Sequence, residues 1–207
     1  MIDDIVLRWV VTGLSALSAV AWGFVLLHRH RSWVEVVRCV LHLVMAIAMA
    51  VMVWPWGAQL PAAGPAVFFL FAALWFVISA VASAETLPLR TVYGYHALMM
   101  LAMAWMYAFI HGLLLPGHSL KHHHHMDMDM AGTVVVPTTV GSPGWIAATN
   151  WFWFVGFGLA AAIWASGFGL KRADESDPGS WRSLTAPAQA TMAATMSIMF
   201  GATLFQG

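Results

Sequence analysis

The sequence predicts an all-α integral membrane fold: six transmembrane helices, arranged as three pseudo-repeated helical hairpins around a pseudo-threefold axis. Three observations predict it. The 207 residues are 61% hydrophobic and only 9% charged, whereas roughly a quarter of the residues of a soluble domain are charged. Apolar runs of roughly 20 residues, the length that crosses a bilayer, recur along the whole chain. One spacing of histidine and methionine also returns in alternate runs.

The runs occupy 5–27, 37–56, 65–84, 91–115, 146–170 and 184–205, so 1–207 reads as one transmembrane domain with no soluble domain left over. The first opens on Asp3 and Asp4 rather than on a basic region. It is also longer than the roughly 7–15 apolar residues of a secretory signal, so it is expected to remain as a span. The second run ends in Trp54-Pro55-Trp56, and Trp145, Trp151 and Trp153 cluster at the start of the fifth. These tryptophans are expected to lie in interfacial belts. Gly156, Gly158, Gly167 and Gly169 in the fifth run are expected to allow close helix packing.

Lysine and arginine placement orients the spans. Arg29, Arg31, Arg38, Arg90, Lys171, Arg172 and Arg182 fall on one side, and only Arg8 and Lys121 on the other. The richer side is expected to be cytoplasmic. Both termini, the 58–64 loop and a flexible His/Met-rich loop at 116–145 then face outward from the cytoplasmic membrane.

Composition excludes several function classes. A formal net charge of zero argues against nucleic acid as a partner. The one cysteine, Cys39, excludes an intrachain disulfide. There is no nucleotide-binding loop, Ser/His/Asp set, paired carboxylates or zinc signature, so the chain is not expected to be an enzyme.

The repeated spacing is a histidine followed by methionine three, seven and ten positions on. The second run carries His42, Met45, Met49 and Met52, and the fourth carries His96, Met99, Met103 and Met106. In the sixth run Gln189 replaces the histidine before Met192, Met196 and Met199. A tryptophan stands 20–25 residues upstream each time: Trp22, Trp75 and Trp164. Repeated hairpins make the even spans run in the same direction, which puts equivalent residues at equal depth. The spacing marks a narrow stripe on one helix face. Three facing stripes would stack into one polar layer and three sulfur layers, a column roughly 15 Å long at 1.5 Å per residue.

Methionine also fills irregular apolar gaps. Filler, however, has no reason to choose alternate helices, and apart from Met1 the odd spans contain no methionine. A thioether is neutral, soft and polarizable, suited to Cu(I) and of little use to Mg²⁺ or Ca²⁺. Stacked trigonal sulfur sites would let a monovalent ion pass between neutral sites while coordination replaces its hydration. No Asp or Glu falls inside the six runs. Passive conduction or binding is therefore expected, rather than proton-coupled pumping.

The outward loop reads "KHHHHMDMDM". His122, His123, His124 and His125, followed by Met126, Met128 and Met130 alternating with Asp127 and Asp129, suit metal capture. His111 and His118 would extend the path inward. Cys39 and His42, three apart, are a candidate exit pair or a structural cysteine beside a ligand.

The Met45-xxx-Met49, Met99-xxx-Met103 and Met192-xxx-Met196 pairs resemble the MxxxM helix of eukaryotic high-affinity copper transporters. There three subunits each supply one such helix to a threefold pore. That resemblance covers only these helices and the outer loop, and implies copper conduction. Over its whole length the chain resembles an uncharacterised actinobacterial family carrying "HLxMxxxMxxMxWPW" in its second span, which implies the fold alone.

A different class of reading uses only the histidines. His42 and His96 at like depth could ligate haem b in an electron-transfer protein, with Gln189 left out because haem needs two axial ligands. A third reading is a copper chaperone, sensor or accessory subunit that serves a periplasmic or cytoplasmic copper partner.

Overall fold

The computed structural model describes residues 5–27, 33–57, 60–61, 63–82, 87–110, 144–174 and 182–205. Six helices follow one another: α1 (Ile5–Leu27), α2 (Trp33–Met52), α3 (Ala63–Ala82), α4 (Leu87–Ile110), α5 (Gly144–Asp174) and α6 (Arg182–Phe205). There is no strand among the described residues. Five of the six helices are long and apolar enough to cross a membrane. The exception, α4, has 24 residues, but Arg90, Thr91, Tyr93, Tyr95 and His96 interrupt its apolar run.

The helix boundaries depart from the apolar runs for a physical reason: charge ends an apolar run but does not end a helix. Helix α2 starts four residues early, at Trp33, because Glu35 and Arg38 lie one turn apart and pair at 2.7 Å along the helix. Helix α5 likewise continues past Lys171 and Arg172 to Asp174. At its far end α2 stops at Met52, and Pro55 cannot continue it. A turn follows, in which Gly57 N–H donates to the Trp54 carbonyl at 2.9 Å.

That turn requires glycine. A Cβ on Gly57 would stand 2.0 Å from the Val51 carbonyl oxygen, a backbone atom that cannot swing aside. Gly57→Ala is expected to destabilise the protein by about 1–3 kcal/mol, the usual penalty of overpacking. A lowered melting midpoint in detergent is the measurement. An unchanged midpoint would mean that the turn relaxes freely.

Consecutive helices pack as three pairs, α1 on α2, α3 on α4 and α5 on α6, and α1 also packs on α6. The odd helices carry broad exposed apolar faces: Leu17 and Val20 on α1, Phe71 and Ile78 on α3, Leu159 and Ile163 on α5. Water would not tolerate that much apolar surface. The faces are compatible with a multi-pass membrane protein.

The even helices turn one face inward, and the same six positions are buried in each stripe, the last of the first stripe lying one residue past α2. Counted from the polar residue as zero, these are positions 0, 3, 4, 7, 10 and 11. They are His42, Met45, Ala46, Met49, Met52 and Val53; His96, Met99, Met100, Met103, Met106 and Tyr107; and Gln189, Met192, Ala193, Met196, Met199 and Phe200. The stripe is therefore wider than the 0, 3, 7, 10 pattern, as a helix packed on several neighbours requires.

Several side chains depart from expectation. Of the upstream tryptophans, Trp22 is 1% exposed but Trp75 is 38% exposed. Trp54 turns inward, donating from Nε1 to Thr12 Oγ1 at 3.2 Å and meeting Trp9 edge to face. Trp153 is buried and stacks on Phe157 and Phe200 rather than joining an interfacial belt. Trp56, Trp145 and Trp151 remain exposed. Gly156 approaches nothing, so of the α5 glycines with described surroundings only Gly158 meets α6, at Ser197 Oγ. The tighter approach comes from Gly201 of α6, whose Cβ position lies 3.0 Å from the Phe154 ring.

Candidate metal site

All nine methionines of the repeated spacing are buried in one apolar core, none more than 6% exposed. Met100 joins them. The polar residues His42, His96 and Gln189 are buried too, and they meet. The His42 and His96 rings lie edge to face with centroids 4.5 Å apart, and Gln189 Nε2 is 2.8 Å from His96 Nε2. One contact joins α2 to α4 and the other joins α4 to α6. The sequence-predicted polar layer is thus brought together by side chains from all three even helices.

The surroundings of the two rings are apolar and aromatic. Trp22 of α1 packs on His42 at 4.5 Å, and Phe76 of α3 stacks on His96 at 5.3 Å. Trp22 and Phe76 each precede their histidine by twenty residues. The aromatic repeat is real in space but uses Phe76 in the second hairpin, not Trp75. Trp164 of α5 lies beside Tyr95.

The two histidines differ in their hydrogen bonds. A helical side chain points back toward the preceding turn, which brings His42 Nδ1 to 2.7 Å from the Arg38 carbonyl. That carbonyl can only accept, so Nδ1 carries the proton and Nε2 keeps a lone pair. Nε2 is buried and has no hydrogen-bond partner. His96 is occupied instead at Nε2 by the Gln189 carboxamide. Val92, four residues before His96, acts on the ring through its backbone, but Nδ1 lies outside hydrogen-bond geometry. Gln189 Oε1, Trp22 Nε1 and Ser15 Oγ are also buried without partners.

Among the described residues no three His, Cys, Asp or Glu side chains are grouped to hold a metal. A site of three or more ligands among these residues would need another ligand type, such as a thioether. Cys39 is fully buried one turn before His42. The loop ligands His122, His123, His124, His125, Met126, Met128 and Met130, with His111 and His118, lie outside the described residues. Nothing in the local spacing singles out Ser15 or Phe76, whose places are set by neighbours on other helices.

Comparison with known proteins gives relatives but no activity. An uncharacterized protein of Mycobacterium bovis is 46% identical over 215 residues, covering 99% of both chains. Uncharacterized proteins of two Mycobacterium tuberculosis strains match to the same extent. No solved structure matches. Residues 34–203, which contain all three polar-plus-methionine stripes, match a family described as a domain of unknown function, DUF5134. The chain belongs to that family.

Proposed function

We propose that this chain is a six-span protein of the cytoplasmic membrane that binds Cu(I) through stacked methionine layers and moves it, or hands it over, across the bilayer. The even helices gather their stripes around a pseudo-threefold axis, with α4 crossing beside α3. Both termini and the 116–145 loop face outward, where His122–His125, Met126, Met128 and Met130 collect the ion. Layers formed by Met52, Met106 and Met199, then Met49, Met103 and Met196, then Met45, Met99 and Met192 lead to His42, His96 and Gln189.

One observation carries the reading: three helices bury methionine at the same three positions below one buried polar residue. Neutral sulfur suits a soft monovalent ion, and coordination offsets the several kcal/mol that a bare charge costs in a bilayer. Among the described residues no Asp or Glu is buried, which favours passive transfer. The imidazoles also argue for copper over haem. Edge-to-face rings 4.5 Å apart, backed by Trp22 and Phe76, leave no gap for a porphyrin plane.

Metal analysis of the protein purified with and without added copper tests this, together with its visible spectrum. Copper bound without a Soret band is expected. A Soret band, or a chain that stays free of copper, would end the proposal. Bound copper with cell uptake unmoved by expression would convert it to a chaperone or sensor that serves a copper partner.

A further inference from the structure

We infer that the inner end of the methionine column is a one-imidazole Cu(I) site: His42 Nε2 is the nitrogen ligand, and Gln189 keeps His96 out of the coordination sphere. The inference rests on the copper reading above and assigns its inner ligand set. The two histidines occupy equivalent places in the repeat, which would make them equal ligands. Their hydrogen bonds make them unequal.

His42 is arranged as a metal-binding imidazole usually is. Its Nδ1–H is held by the Arg38 carbonyl at 2.7 Å, which fixes both the tautomer and the direction of the opposite nitrogen. Nε2 is left fully buried with an unused lone pair. A buried polar atom without a partner is costly, and an ion at that point would remove the cost. No proton has to leave, because Nδ1 keeps its own. The nearest thioether on the same helix face is Met45, one turn on and also fully buried.

His96 lacks the open Nε2, and its Nδ1 makes no hydrogen bond within ordinary geometry. Its Nε2 is taken by the Gln189 carboxamide at 2.8 Å. With the amide as placed, the ring nitrogen accepts; with the amide turned over, the ring N–H would donate. In either arrangement Nε2 is unavailable to a metal. Glutamine in the third repeat therefore has a task that a third histidine would not perform: it satisfies its neighbour and leaves one imidazole open.

The test uses the full-length chain in detergent with His122, His123, His124 and His125 changed to glutamine, so that the outer loop adds no imidazole. It is loaded with Cu(I) against a competing chelator and studied by copper X-ray absorption. His42→Gln is expected to weaken Cu(I) binding at least about tenfold and to remove nitrogen from the copper shell. His96→Gln should leave nitrogen in the copper shell, because Gln189 already withholds that ring's Nε2 from a metal. Gln189→Ala should free His96 and add a second nitrogen. Equal losses in the two histidine variants, or Gln189→Ala with no added nitrogen, would overturn the assignment while leaving the copper reading standing. A parent chain that takes up no Cu(I) would overturn both.

Discussion

Changing Met49, Met103 and Met196 together to leucine is expected to abolish copper transfer while leaving the protein folded. In the proposed column these three residues would make the middle layer, and each is at most 1% exposed. Leucine nearly matches methionine in volume, so each change should cost less than about 1.5 kcal/mol of stability. What leucine removes is the sulfur. An ion crossing between the outer and inner layers then meets only hydrocarbon, with neither water nor ligand to replace its hydration. Cu(I) affinity should fall at least about 100-fold, which corresponds to about 2.7 kcal/mol, and uptake by expressing cells should return to background. The single change Met49→Leu should give an intermediate loss. A triple variant that melts normally and still loads copper would show that the methionines serve packing alone.

The parts of this fold that were legible in sequence are those set by short-range periodicity. The apolar run 5–27 coincides with α1, whose sequence contains no proline and no charged residue but Arg8. Methionines at three, seven and ten positions past a polar residue correctly marked the buried face of α2, α4 and α6. The rest depended on neighbours. Nothing local distinguishes Trp22, which packs on His42, from Trp75, which is exposed one position short of the residue that packs on His96. A helix advances about 100° per residue, so a one-residue error in register turns a side chain from core to lipid. The unequal roles of His42 and His96 were equally hidden. They arise because Gln189, on another helix, reaches one ring and not the other.

That register argument makes a quantitative prediction. Trp22→Ala and Phe76→Ala should each destabilise the protein strongly, and Trp75→Ala should scarcely matter. In a membrane protein the water-transfer part of burial shrinks, because lipid is as apolar as the core. The cavity left by a deleted ring remains, and its lost dispersion contacts amount to about 3 kcal/mol for a large aromatic. Trp22 and Phe76 are each 1% exposed, so neither void opens to a lipid chain that could fill it. Both rings also brace a histidine, Trp22 at 4.5 Å from His42 and Phe76 at 5.3 Å from His96. The two losses should differ in function, however. Trp22→Ala frees the ring that offers its Nε2 to metal, and should weaken copper binding as well as stability. Phe76→Ala loosens a ring already held by Gln189, and should lower the melting midpoint with copper affinity retained. Equal stability loss at Trp75 and Phe76 would refute the assigned register. Equal copper loss from Trp22→Ala and Phe76→Ala would refute the inequality of the two histidines.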